Sequence, residues 1–176
     1  MAKCKRIKHA YSSLYIDEVM GNVGELFQYA DIEFEVTLEE LLKLWIPSIY
    51  CKGIEDGRAH FMVGMTGREV AMELFKVEDT RLKWAPALEE YWIGWASAYL
   101  QWYCNISFER LYELVPISRF RLMYPAYHCM DLSHLEIFAK EEILVHPDDV
   151  WFWDESSYGY KPKERVVENV KLHGKK

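Results

Sequence analysis

Apolar residues recur at three- and four-residue steps along most of the chain, the spacing of helices that bury one face. From about Ser12 to Ala30 the positions Leu14, Val19, Val23, Leu26, Phe27 and Ala30 follow it, predicting one helix weakened by Gly21 and Gly24. The next residues, Asp31-Ile-Glu-Phe-Glu-Val, alternate strictly, as a strand would. A lone short strand has no partner, so loop or helix extension is the expectation. Thr37 then reads as a cap for a second helix, Leu38-Glu-Glu-Leu-Leu-Lys-Leu-Trp, which Pro47 stops. Residues 52–64, with Gly53, Gly57 and Gly64, read as a linker-like loop inside the domain.

Thr66-Gly-Arg-Glu69 is a capping box and the clearest helix start, with Val70, Leu74 and Val77 following on one face. Pro86 opens the longest apolar segment, in which Leu88, Tyr91, Trp92, Trp95, Tyr99 and Trp102 form the expected core stripe. Gly94, Ala96 and Ala98 lie between those aromatics and leave room for another helix to approach. A further helix is predicted from Ser107 to about Val115, broken by Pro116, and Ser118 restarts a short one that ends before Pro125. Asp131 or Ser133 caps a last helix through Leu144, with Ser133 and Glu136 as a second capping box and His146-Pro147 as its stop. The fold class is therefore mainly α: a single-domain bundle of about five to seven helices with an irregular aromatic C-terminal segment.

Composition narrows the function classes more than the fold. With 176 residues, 51% hydrophobic and 15% aromatic, the chain has ample material for one core, which excludes wholesale disorder. No apolar run reaches the roughly 20 residues a membrane-spanning helix needs. Met1-Ala-Lys-Cys-Lys-Arg-Ile-Lys-His has the charges of a signal peptide without an apolar region behind them, so a cytoplasmic protein is expected. Cys4, Cys51, Cys104 and Cys129 never form a Cys-x-x-Cys, which indicates neither a disulfide scaffold nor a zinc ribbon.

Charge is unevenly placed within a net −7. Residues 1–10 carry Lys3, Lys5, Arg6 and Lys8 and no acid, and residues 161–176 carry six basic residues against Glu164 and Glu168. Between them, 26 acids face 11 bases. This divides the chain into a basic arm (1–11), an acidic helical domain (12–146), and an aromatic segment with a basic tail (147–176). Such a body repels phosphates and speeds encounter with a positively charged protein.

Local constellations of reactive residues point away from catalysis. His128-Cys129-x-Asp131-x-x-His134 gathers metal-ligand types, but in a register that suits neither a helical i, i+4 pair nor a zinc knuckle. Cys104 and Cys129 read as small core residues. The acid pairs Glu39-Glu40, Glu89-Glu90, Glu141-Glu142 and Asp148-Asp149 point in different directions on their helices and read as solvated faces rather than general acid–base pairs. Gly21-x-x-Gly24 lacks the strand and lysine of a phosphate loop. No metal, cofactor or catalytic residue is expected, and no enzyme. Residues 106–124 outline a helix-turn-helix that would expose Arg119 and Arg121 to DNA, with ordinary antiparallel packing as the competing reading. Val150-Trp-Phe-Trp-Asp-Glu-Ser-Ser-Tyr-Gly-Tyr160 is either a docking segment or a lid on the core.

The stretches Tyr15-Ile-Asp-Glu-Val-Met, Met65-Thr-Gly-Arg-Glu, Glu90-Tyr-Trp-Ile-Gly-Trp-Ala-Ser-Ala-Tyr-Leu-Gln-Trp-Tyr and Val115-Pro-Ile resemble a family of small proteins of clostridia and their mobile elements over about residues 12–144. That resemblance implies an antitoxin-like or regulatory role. In size and acidity the chain is also similar to the anti-CRISPR proteins that inhibit type II-A Cas9. Two expectations result. One is an inhibitor of a basic, nucleic-acid-handling protein, with Glu39, Glu40, Glu89, Glu90, Glu141 and Glu142 supplying potential and Trp151, Trp153, Tyr158 and Tyr160 anchoring. The other is an antitoxin or transcriptional regulator that uses Arg119 and Arg121.

Overall fold

The computed structural model describes residues 8–78 and 88–144. Among them the chain is helical and forms one bundle. After a single 3-10 turn at Ser13–Tyr15, α1 runs Ile16–Phe34, with Asp17 and Glu18 placed against the positive end of its dipole. Val19, Val23, Leu26, Phe27 and Ala30 of the predicted stripe are buried, Leu14 is instead exposed in the 3-10 turn, and Gly21 and Gly24 do not break the helix. The alternating segment extends this helix to Phe34, and Glu35, in a left-handed conformation at φ 52°, closes it.

Thr37 and Glu40 make a reciprocal capping box that opens α2, Leu38–Trp45. The expected linker at 52–64 is instead largely helix: α3 spans Ile49–Glu55 behind a Ser48 cap, and α4 spans Ala59–Val63. Gly53 is a packing position rather than a breaker, since a Cβ there would lie 2.1 Å from Cδ2 of Phe61. The Thr66–Glu69 box opens α5, Gly67–Phe75, as predicted, and Lys76 ends it in a left-handed conformation.

The centre of the bundle is α6, Glu89–Cys104. Of the predicted aromatic stripe, Trp92, Tyr99 and Trp102 are buried and Tyr91 and Trp95 only in part. Ile93, Ala96, Ala98, Leu100 and Cys104 are wholly buried on other faces, whereas Leu88 is exposed and Trp95 half-buried, so α6 is enclosed on nearly every side. Its most extensive neighbour is α1. The small residues make this possible, since a Cβ on Gly94 would meet the Val23 carbonyl at 2.5 Å, and one on Gly24 the Tyr91 carbonyl at 2.9 Å. The two polar residues buried on α6 are Ser97 and Gln101, and Gln101 Nε2 donates to the Ile106 carbonyl at 2.8 Å.

Beyond α6, Ser107 caps α7, Phe108–Leu114, and Pro116 immediately precedes α8, Ile117–Tyr127. Contrary to expectation, α8 does not stop before Pro125 but carries it inside. Proline removes one N–H of the helix ladder, and Pro125 is exposed near the end of α8. Asp131, not Ser133, caps α9, Leu132–Phe138, which passes into one wider π turn at Ala139–Ile143. The Ser133–Glu136 box is therefore absent. Ser133 instead gives both its N–H and its hydroxyl to Asp131 Oδ1.

Candidate functional site

The residues singled out from sequence fall into three places. Glu39 and Glu40 are both exposed at the start of α2, but the Glu40 carboxylate is turned back to the Thr37 N–H and hydroxyl at 2.9 and 2.8 Å, which hold it below the usual carboxylate range. Glu141 and Glu142 lie exposed in the π turn. Trp151, Trp153, Tyr158 and Tyr160 lie outside the described residues, so neither a docking segment nor a lid is described by the structure.

The third place corrects the reading of Glu89-Glu90 as a solvated pair. Arg121 Nη1, on α8, donates to Glu89 Oε2 at 2.6 Å and to Glu90 Oε1 at 3.1 Å, both at the first turn of α6. Glu90 retains 15% of its side-chain exposure and Glu89 28%, so both carboxylates are partly withdrawn from water. Burial opposes the Arg121 charge, but its hydrogen bonds to Glu90 and Glu89 outweigh that and raise the guanidinium above its ordinary value. Asp31, near the end of α1, belongs to the same neighbourhood. Burial and the Glu90 charge push its carboxyl up, and Arg121 pulls it down. One arginine thus serves acids on α6 and α1, so Glu89 and Glu90, offered for one function, are paired with Arg121, offered for the other.

Helices α7 and α8 follow one another across Val115 and Pro116, and both pack on α6. Ile117, Phe120 and Met123 face inward, and Phe120 and Tyr124 approach Trp92 of α6 with ring centroids at 6.4 and 5.7 Å. Arg119 is exposed and Arg121 is held by α6.

Two polar features escaped the sequence reading. Glu55, at the end of α3, accepts from the Phe108 N–H at 2.6 Å and lies 3.7 Å from the Cys51 thiol, tying α3 to the start of α7. Burial raises its carboxyl above the ordinary value despite those two donors. The second is Cys129, which is exposed rather than in the core and sits 3.1 Å from Nε2 of His128. Cys104, by contrast, is buried as expected, and burial pushes its thiol up. Among the described residues no three His, Cys, Asp or Glu side chains converge to hold a metal ion, and no helix is long and apolar enough to cross a membrane.

No family model, curated protein or solved structure matches this chain.

Proposed function

We propose that the protein is a non-enzymatic inhibitor that binds a basic, nucleic-acid-handling protein of a bacterial defence system, a Cas9-like nuclease being the case to test, in the cytoplasm. The observation that carries this reading is the charge of the helical body. Its described residues hold 21 acids against 10 bases, with Glu39, Glu141 and Glu142 exposed. A surface of that sign is matched to a channel built for phosphate backbone, and it raises the association rate with such a channel. The internal pairing of Glu89 and Glu90 with Arg121 moves the expected contact away from those two acids and onto the exposed ones.

The test is association kinetics with purified nuclease over a range of salt, for the native chain and for a variant combining Glu39→Lys, Glu141→Lys and Glu142→Lys. Steering by charge requires an association rate that falls steeply with ionic strength, and a variant that associates more slowly with little change in dissociation. The clostridial resemblance supports the competing regulator reading, which asks Arg121 to leave Glu89 and Glu90 for DNA. Specific duplex binding that depends on Arg119 and Arg121, with no nuclease binding at low salt, would replace the inhibitor reading.

A further inference from the structure

Where α8 gives way to α9, His128 closes the helix, and the side chains of His128 and Cys129 are both exposed. The His128 ring is fixed by two contacts. It stacks on Tyr124 at 4.6 Å between centroids and 30° between planes, and its Nδ1 lies 2.7 Å from the Tyr124 carbonyl oxygen. A carbonyl oxygen only accepts, so Nδ1 is the nitrogen that carries the proton, and in the neutral ring Nε2 presents its lone pair. That lone pair meets Cys129 Sγ at 3.1 Å. A nucleophile, a base in contact with it, and a third group orienting the base are the components of an activated thiol.

The other described thiols are built differently. Cys51 and Cys104 are buried, and burial pushes both thiols up; Cys51 has a carboxylate, not a base, beside it. Exposure together with an oriented imidazole therefore distinguishes Cys129 among them.

We propose that Cys129 and His128 form a nucleophile–base pair that makes Cys129 a site of mixed-disulfide formation with low-molecular-weight disulfides. In the step, the Cys129 thiol proton passes to His128 Nε2 as Sγ attacks one sulfur of the reagent. A new S–S bond forms, the reagent's own S–S bond breaks, and its second sulfur leaves with the electron pair as a thiolate. That thiolate takes the proton back from the imidazolium, so one disulfide and one thiol enter and one mixed disulfide and one thiol leave. His128 is the base and Tyr124 its positioning residue. The inference rests on this junction alone and is independent of the inhibitor reading.

The experiment treats the reduced full chain with oxidised glutathione near neutral pH and follows each cysteine by peptide mapping and mass spectrometry. The expected result is that Cys129 is modified before Cys51 and Cys104. Its rate in the folded chain should exceed its own rate in urea, and His128→Gln should slow the folded rate at least about tenfold, below the range for an oriented general base. Glutamine keeps a polar amide at this position but no base, and in urea the two chains should react alike. The proposal is overturned if folded Cys129 reacts no faster than in urea, or if His128→Gln leaves the folded rate unchanged. The comparison of folded with unfolded native chain needs no variant, so a variant that failed to fold would not remove the test.

Discussion

Replacing each of three glycines by alanine measures how closely α1 and α6 are locked. Gly21, Gly24 and Gly94 all sit inside helices, where alanine is favoured by about 0.8–1 kcal/mol. At Gly21 an added methyl meets nothing within 4 Å, so the helix propensity should be realised in full. At Gly94 the same methyl would stand 2.5 Å from the Val23 carbonyl oxygen and 2.9 Å from Cγ of Phe27. The first of these is backbone of a packed helix, which cannot swing aside as the end of a side chain does. Overpacking of this kind costs at the upper end of about 1–3 kcal/mol, which leaves Gly94→Ala destabilised by about 2 kcal/mol net. For a chain of this length about 1 kcal/mol moves Tm by about 2–4 °C. Gly21→Ala should therefore melt about 2–4 °C higher than the native chain and Gly94→Ala about 4–8 °C lower, with Gly24→Ala between them. Thermal unfolding by circular dichroism, with urea titrations for the free energies, decides the matter. If Gly94→Ala is as stable as Gly21→Ala, the helices do not approach as described and the small-residue crossing is wrong.

Arg121→Ala should lose about 1–2 kcal/mol, less than a fully buried pair would because the side chains are partly exposed, while Arg119→Ala should stay within about 0.5 kcal/mol of native. The Arg121→Ala deficit should shrink in high salt, which screens the repulsion left among Glu89, Glu90 and Asp31; urea titrations at two salt concentrations check both points. For Glu55, a raised folded value means that folding favours the neutral carboxyl. Its contribution to stability is fully present below the ordinary glutamate value and lost as pH rises through the raised one. Glu55→Gln stays neutral and keeps an acceptor for the Phe108 N–H, so its stability relative to native should rise between about pH 4 and pH 7, read by urea midpoints across that range. Thr66→Ala removes the hydroxyl that accepts the Glu69 N–H and should cost about 1 kcal/mol in the same assay.

What the sequence disclosed was whatever depends on near neighbours. Capping at Thr66 and Thr37 is a matter of three residues, and each signal is followed by a helix. The α1 stripe was legible because one face of it is buried and the other is not. On α6 the pattern was harder to read, because a helix buried almost all round has no polar face to contrast with its apolar one. Residues 52–64 were misread for a related reason. A glycine looks the same in sequence whether it frees the backbone or admits a ring, and Gly53 admits Phe61. A proline reads as a stop in sequence, whereas a helix can carry one near an exposed end, as α8 carries Pro125, and exposure is a tertiary property.

The pairings that matter most for function were the least legible, because they join residues remote in sequence. Arg121 meets Glu89 and Glu90 across 32 and 31 positions, and no periodicity carries that information. The consequence is more than structural. Formal charge treated Glu89 and Glu90 as two of the acids available to a partner and Arg121 as a cation available to DNA. Each is instead the other's counter-ion, so engaging either with an outside partner carries the added cost of leaving the remaining groups unpaired in a partly desolvated site. His128 and Cys129 show the converse limit. They are adjacent in sequence, yet adjacency alone does not say which imidazole nitrogen faces the sulfur. That is set by the Tyr124 carbonyl one helical turn back, a group whose position exists only once α8 has formed. Net charge survives folding and can be counted from the chain. Whether a given charge is available to a partner, or a given nitrogen to a thiol, is decided by the helix that packs beside it.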